Sequence, residues 1–279
     1  MCYNTLCSVS SLQSLYKRRN TMDINYLFDP NEKPLDRLVT DGGYCGIMRT
    51  IACIGDSLAS GELESRDENG NPGWHDIFDI SWGQYLARMA GLKAYNFSRG
   101  GMTAKEYINS FADTMGYWDK DLAAQGYIIA LGVNDILNCH WPVGSVDDIC
   151  LEDYTKNNTT FAGYYGQIIQ RYKQIQPDAK FFLVTFPKGE GTENGDEHRA
   201  LLYSLAELFD NCYVIDLREY GVEYNADFRK KFFVGGHMNS AGYLFTAQVI
   251  ASYIDYIIRH NMEDFSQIGF VGTPHKYIY

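Results

Sequence analysis

The stretch Arg49-Thr-Ile-Ala-Cys-Ile-Gly-Asp-Ser-Leu58 decides how this chain folds. Residues 49–54 are a short run of β-branched and apolar side chains, which predicts a buried strand, and Gly55 ends it. Asp56 and Ser57 then follow directly at the carboxyl end of that strand. In open parallel sheets the ligand site lies beyond the carboxyl ends of the strands, so polar residues at this point are candidates for function.

The same alternation of apolar runs and amphipathic segments continues along the chain to residue 259. Further strands are predicted at 94–97, 127–131, 180–186 and 213–217, and helices at 82–89, from Thr103 onward, 161–175, 198–209 and 240–259. Residues 59–80, rich in charge, Gly and Pro, are predicted to form a loop. Strands that alternate with helices favour a parallel sheet covered on both faces, a three-layer α/β/α sandwich.

Composition limits the classes to which the protein can belong. With 279 residues and 46% hydrophobic side chains, the chain can bury one sizeable core. We divide it into a leader and irregular lead-in (1–46), an α/β domain (47–260) and a C-terminal extension packed on that domain (261–279). Residues 1–21 differ in character from the rest of the chain and are interpreted as a leader or as upstream sequence. The net charge of −11 argues against a nucleic-acid partner, and no apolar run reaches the length of a membrane-spanning helix.

The cysteines and glycines give no sign of a bound group. The seven cysteines are scattered and odd in number, without a CxxC pair, which is typical of free thiols in a reducing, cytoplasmic protein; they are residues 2, 7, 45, 53, 139, 150 and 212. No His, Asp or Glu spacing suggests a metal site, and no GxGxxG follows a strand. We expect neither a metal nor a cofactor. His198, His260 and His275 are interpreted as solvated.

Four residues at loop positions could together perform acyl transfer. A serine hydroxyl such as Ser57 is a weak nucleophile and needs a neighbouring base, and His237 suits that role because imidazole titrates near neutral pH. The tetrahedral oxyanion needs fixed donors, which the backbone N–H of Gly101 and the amide of Asn134 can supply. Each of these residues alone is more often a turn or a cap; the four together point to a catalytic site.

Four segments around these residues resemble conserved blocks of the SGNH (GDSL) hydrolases, the GDSL-like lipases and acylhydrolases. The segments are Ile54-Gly-Asp-Ser-Leu-Ala-Ser-Gly61, Asn96-Phe-Ser-Arg-Gly-Gly-Met-Thr103, Leu131-Gly-Val-Asn-Asp135 and Gly236-His-Met-Asn-Ser-Ala-Gly-Tyr243. The resemblance covers roughly 49–258 and implies a flavodoxin-like fold. It also implies that Ser57 is the nucleophile, that His237 is the base, and that Ser57, Gly101 and Asn134 hold the oxyanion.

One position departs from the family pattern. The family usually has Asp three residues before the histidine, where this chain has Val234. Valine cannot orient an imidazole, so either a backbone carbonyl orients His237 in a Ser–His dyad, or another acid such as Asp216 or Asp227 takes the role. We favour the dyad.

The family's range then sets the expected activity. We predict an esterase that hydrolyses a small-molecule ester, with an O-acetyl or other short acyl group on a carbohydrate preferred because Trp74 and Trp141 lie in loops beside the motifs. A lipid esterase or thioesterase is the nearest enzymatic alternative. A catalytically silent ligand-binding module on the same fold is the alternative of another class, and Val234 is the reason to consider it. The oligomeric state stays open.

Overall fold

Nine strands are present in the computed structural model, which describes residues 24–278. In chain order they are β1 (Thr50–Gly55), β2 (Glu62–Arg66), β3 (Pro72–Asp76), β4 (Lys93–Ser98), β5 (Gly126–Ala130), β6 (Lys180–Val184), β7 (Cys212–Ile215), β8 (Phe233–Val234) and β9 (His237–Met238). Five of them form a parallel sheet in the order β4-β1-β5-β6-β7. All five predicted strands are confirmed, with ends that differ by one or two residues.

Helices connect these strands, and most were also predicted. They are α1 (Ser57–Ser60), α2 (Trp82–Ala90), α3 (Ala104–Glu106, continued by a π-helical turn Tyr107–Phe111 and by Ala112–Thr114), α4 (Phe161–Ile175), α5 (Gly195–Leu208), α6 (Leu217–Tyr220), α7 (Ala226–Phe232) and α8 (Ser240–His260). The predicted end signals hold: Gly91 ends α2 with φ 69°, and the Thr103 hydroxyl accepts the Glu106 N–H at 3.1 Å.

Alternate residues of β1 point to opposite faces of the sheet and enter two separate cores. Ala52 and Ile54 join the core under α3, α4 and α5, whereas Ile51 and Cys53 join the core under α2 and α8. The chain therefore has the three-layer α/β/α architecture that the sequence predicts. Residues after 260 pack on the second core, where Phe265 and Ile268 are buried.

The interpretation of residues 59–80 as a loop is wrong. They contain the end of α1 and an antiparallel hairpin, in which Glu62 of β2 pairs with Asp76 of β3 and Glu64 pairs with Trp74. A half-buried strand is recognised in sequence by apolar residues at every second position. The two strands of the hairpin have charged or polar side chains at most of their positions instead. The pair therefore lacks the apolar alternation by which a strand is recognised in sequence.

Three further predictions concern the cysteines, membrane-spanning helices and the N-terminal residues. The five described cysteines are all free, and among residues 24–278 no helix is long and apolar enough to cross a bilayer. Residues 24–32 form a small unit of their own with one 3₁₀ turn, Ile24–Tyr26. The leader predicted at 1–21, with Cys2 and Cys7, lies outside the described residues.

Candidate active site

The four residues predicted to act together line one cavity at the carboxyl end of the sheet. Ser57, Gly101, Asn134 and His237 all contribute to its wall, and the cavity has a volume of about 690 Å³. They come from four separate segments of the chain, so the fold brings together residues that are up to 180 positions apart in sequence, the separation of Ser57 from His237. The arrangement is the one that the topology of an open parallel sheet favours.

Ser57 is placed by the turn that joins β1 to α1. The Asp56 carboxylate accepts the Leu58 N–H at 3.0 Å and so caps the helix that begins at Ser57. Burial raises the pKa of Asp56 to about 6, against the opposing effect of that N–H. Gly55 is required because a Cβ there would press against Ala59 and the Ala130 carbonyl. The half-buried Ser57 side chain therefore stands at a tightly packed strand end.

Gly101 forms an open wall of the cavity. Its backbone has φ 71°, a left-handed conformation that favours glycine, and no atom lies within 4 Å of where a Cβ would stand. The empty space above the residue lets a substrate approach its backbone closely. The neighbouring Gly100 N–H donates to Asp76 Oδ2 at 3.3 Å, which fixes this turn to the hairpin.

Asn134 is held in one orientation by its neighbours. Its Oδ1 accepts from Asn138 Nδ2 at 2.7 Å, and its Nδ2 donates to the Met102 carbonyl at 3.1 Å. An amide has two N–H bonds, so the second remains available to an oxyanion. The preceding Gly132 has φ 130°. The fixed amide meets the requirement that an oxyanion donor be oriented before the reaction.

Two buried titratable residues support the loop that carries Asn134. Asp135 accepts the Ala104 N–H at 2.9 Å, and burial raises its pKa to about 7. His198 contacts the Leu131 carbonyl through Nε2 at 3.1 Å, and burial lowers its pKa to about 4. His198 is fully buried, so its interpretation as a solvated residue is wrong: it faces inward from α5 and stacks on Phe186.

His237 is held between two carboxylates of β2. Its Nε2 lies 2.9 Å from Glu62 Oε1, and its Nδ1 lies 3.9 Å from Glu64 Oε2. The ring is 17% exposed, and Nδ1 is buried without a hydrogen-bond partner among the described residues. The partner of Nε2 in this structure is therefore Glu62 and not the Ser57 hydroxyl.

Glu62 belongs to a group of acidic side chains beside His237. Its Oε2 lies against Gly100, where an added Cβ would collide with it, and its carboxyl group hydrogen-bonds with that of Asp76. Burial raises the pKa of Glu62, and the negative charges of Asp76 and Glu64 act in the same direction, against the attraction of His237. Asp76 is held in turn by the Ser60 hydroxyl.

Neither of the acids considered as replacements for the missing Asp is among the carboxylates that contact His237. Asp216 is fully buried and accepts from Arg199 Nε at 2.6 Å and from the Tyr203 hydroxyl at 2.9 Å. Asp227 lies exposed in the first turn of α7. The Val234 side chain is 54% exposed. The carboxylates that contact His237 therefore come from the hairpin, an element that the sequence patterns did not predict.

One signal in the sequence could have revealed the hairpin. Asn69-Gly70 is the dipeptide most typical of a tight hairpin turn, and Gly70 has φ 82°. It joins segments of equal length, 62–66 and 72–76. Reading it as a turn would have placed Glu62 and Glu64 on a strand, on the same face because residues two apart point the same way.

The cavity wall carries the kinds of group that acyl transfer uses. A hydroxyl, an imidazole, an amide donor and an open glycine backbone surround one cavity, and carboxylates contact the imidazole. In the part of the chain that the structure describes, no group of three or more His, Cys, Asp or Glu residues is arranged to hold a metal ion.

Comparisons with known proteins give the family of the chain and proteins of similar fold. The family model for GDSL-like lipases and acylhydrolases matches residues 53–244. Among solved structures, a family two carbohydrate esterase from Clostridium thermocellum in complex with cellohexaose is 18% identical with a TM-score of 0.53, over 77% of this chain and 65% of that one. The aryl esterase of M. smegmatis is 17% identical with a TM-score of 0.51, over 75% of this chain and 99% of that one. At such identities the likeness concerns the fold. No curated protein matches the chain.

Proposed function

The chain belongs to the GDSL-like lipase/acylhydrolase family and is a carboxylic ester hydrolase, and on that premise we propose that it acts through an acyl-enzyme on Ser57 with His237 as the base. One observation carries the proposal: Ser57, Gly101, Asn134 and His237 line the same cavity. The intact set argues against a silent binding module, because a binding site has no need of a nucleophile, a base and oxyanion donors together.

The chemistry follows from the positions of these groups. The Ser57 oxygen attacks the ester carbonyl while its proton passes to His237, and the negative charge on the carbonyl oxygen is stabilised by the N–H groups of Ser57 and Gly101 and by the Asn134 amide. The protonated imidazole then gives its proton to the departing alcohol. Water, deprotonated by the same imidazole, attacks the acyl-enzyme and releases the acid, which restores Ser57.

A short acyl group on a carbohydrate is the substrate class that we propose. Trp74 stands in the cavity wall with its side chain 57% exposed, and an exposed indole beside a reactive centre offers a flat apolar surface on which a sugar ring can stack. Carbohydrate esterases are among the proteins of similar fold. We also propose a cytoplasmic location, supported by the five free cysteines.

Hydrolysis of p-nitrophenyl acetate tests the nucleophile. Ser57→Ala is expected to lower kcat about 10⁴-fold or more, since the variant keeps the oxyanion donors but has no nucleophile. Ser204→Ala, which removes a half-buried hydroxyl on α5 that donates to the Ala200 carbonyl, is the matched control and should leave kcat unchanged. Labelling by a fluorophosphonate probe should map to Ser57. Equal rates for wild type and Ser57→Ala would contradict the proposal.

A series of p-nitrophenyl esters from acetyl to decanoyl, together with an acetylated sugar, tests the substrate class. We expect kcat/KM to fall as the acyl chain lengthens, and Trp74→Ala to raise KM for the acetylated sugar more than for p-nitrophenyl acetate. Faster turnover of the decanoyl ester would indicate a lipid esterase instead.

A further inference from the structure

The turn between Val234 and His237 lacks an acid of its own. These two residues pair across the short β8–β9 hairpin, and the Val234 side chain points largely to solvent. A histidine that takes a proton from serine needs its second ring nitrogen protonated and held, because this fixes the tautomer and stabilises the imidazolium that forms. Some other group must do this for His237.

The Glu64 carboxylate lies against that turn. Its Oε2 accepts the Gly236 N–H at 2.6 Å, and its Oε1 is 3.2 Å from Arg66 Nη2. The side chain is only 10% exposed although it carries a charge. The Gly236 N–H, with help from Arg66, holds the pKa of Glu64 below its usual range, so the group is an anion at neutral pH.

Gly235 leaves the space that the Glu64 carboxylate occupies. A Cβ on Gly235 would collide with the carboxyl atoms of Glu64, and the residue has φ 64°, which favours glycine. The turn before His237 is therefore built around a side chain that comes from β2, 172 positions earlier than Gly236.

The free nitrogen of His237 faces the same carboxylate. Nδ1 is buried and has no hydrogen-bond partner among the described residues, which is costly for an N–H group, and Glu64 Oε2 is 3.9 Å away. This distance exceeds a hydrogen bond, but catalytic hydrogen bonds are often long before substrate binds and shorten in the complex. The ring and the carboxylate need to approach each other by only about 1 Å to reach hydrogen-bond distance.

We propose that Glu64 is the positioning residue for His237, supplying from the β2–β3 hairpin the carboxylate that Val234 cannot supply. The inference rests on the proposed function. Glu64 accepts the Nδ1–H, which leaves the Nε2 lone pair facing the cavity for the Ser57 proton. During the reaction that proton moves from Ser57 to Nε2 and then to the leaving alcohol, and Glu64 stays ionised throughout.

The two carboxyl groups on His237 are suited to different roles. Glu64 is stabilised as an anion, whereas burial raises the pKa of Glu62, and a pair of acids driven in opposite directions is typical of divided roles. Of the neighbouring charges, Asp76 contacts Glu62, Asp56 interacts electrostatically with Glu62, and Arg66 contacts Glu64. The contact of Glu62 with Nε2 must be exchanged for the Ser57 hydroxyl when the reaction begins.

Glu64→Gln tests the proposal with p-nitrophenyl acetate as the probe. We expect kcat to fall at least 100-fold with KM within about threefold of wild type, because the glutamine amide can stabilise the wrong tautomer. The acid limb of the kcat/KM profile should move to lower pH, since the imidazolium loses a neighbouring negative charge. Glu68→Gln, the same change at an exposed position on the same hairpin, is the matched control and should change neither quantity.

Two further variants separate positioning from a structural role. Val234→Asp in the Glu64→Gln background should recover at least tenfold in kcat, because it places a carboxylate opposite His237 on the paired strand. Glu64→Asp, which keeps the charge, should retain at least tenfold more kcat than Glu64→Gln. A folded Glu64→Gln protein with kcat within threefold of wild type, or with lower kcat, an unmoved acid limb and no recovery, overturns the proposal. Equal kcat values for Glu64→Asp and Glu64→Gln overturn it as well.

The same measurements distinguish this inference from the proposed function. If wild type is active and Ser57→Ala is not, the proposed function stands and only the role of Glu64 is in question. If wild type neither hydrolyses the ester nor reacts with the fluorophosphonate, the proposed function fails and the inference fails with it.

Discussion

The oxyanion side of the cavity and its histidine side are held in place by different kinds of structure. Gly101 and Asn134 follow β4 and β5 directly, and both strands lie in the central sheet beside β1. His237 lies in a two-residue strand, and the carboxylates that contact it come from a separate two-stranded hairpin. In the proposed mechanism the oxyanion donors therefore follow strands of the central sheet, whereas the base, which must exchange Glu62 for Ser57 during turnover, lies on smaller elements.

Asn134→Ala tests the rigid side and has the largest expected effect among the changes that test this comparison. Loss of a fixed oxyanion donor should lower kcat by about 10²–10³, or about 2.7–4 kcal/mol, with little change in KM. Steady-state hydrolysis of p-nitrophenyl acetate measures both. Asn138→Ala removes one of the two groups that orient the amide and should cost less. A raised KM at unchanged kcat would instead mean that Asn134 binds the substrate in its ground state.

Asp135→Asn tests how the loop behind Asn134 is stabilised. Because burial raises the pKa of Asp135 to about 7, the folded protein binds more protons than the unfolded chain between about pH 4 and pH 7. The contribution of this group to stability is thus present at low pH and is lost as the pH rises to about 7. Urea unfolding should show the variant gaining about 3 kcal/mol relative to wild type between pH 5 and pH 8.

The exposed Asp227→Asn serves as the control for that measurement and should show no such gain. A constant difference between Asp135→Asn and wild type across this pH range would mean that Asp135 is already ionised at pH 5.

Gly235→Ala tests the histidine side by displacing the Glu64 carboxylate, whereas a change at Glu64 replaces it. The added methyl group would push the Glu64 carboxylate away from His237, and we expect kcat to fall about tenfold, or about 1.4 kcal/mol. Gly116→Ala is the matched control, because Gly116 has a similar φ of 70° but open space around it. Both variants should lose about 1–2 kcal/mol of stability from the left-handed backbone, and only the first should lose activity.

Asp216→Asn and Asp227→Asn have the smallest expected effect on catalysis. Neither residue contacts His237 in the described structure, so kcat should stay within about threefold of wild type, or below about 0.7 kcal/mol. Asp216→Asn should nevertheless lower the melting temperature, because it weakens the ion pair of the buried Asp216 with the half-buried Arg199. A loss of about 10³-fold in kcat without unfolding, in either variant, would show that a distant acid serves the histidine after all.

The difference between the central sheet and the small hairpins also explains which residues could be predicted from the sequence. β1 and β5 are buried along almost their whole length, and β1, β4 and β5 are each followed by a residue of the candidate site, so local patterns were enough to predict Ser57, Gly101 and Asn134. His237 was found through the motif around it. Glu64 was missed because its strand has no apolar face, and the contact with Gly236 spans 172 positions. His198 was misjudged because a polar residue on a helix gives no local sign of facing inward.

The β2–β3 hairpin has a consequence for how the enzyme responds to heat. A two-stranded ribbon outside the main sheet is marginally stable alone and can open locally while the rest of the molecule stays folded. Turnover should therefore cease at a temperature several degrees below the loss of the far-UV circular dichroism signal, and cooling should restore it. A disulfide or a proline that tightens the ribbon would extend the working range of the catalyst without touching its core.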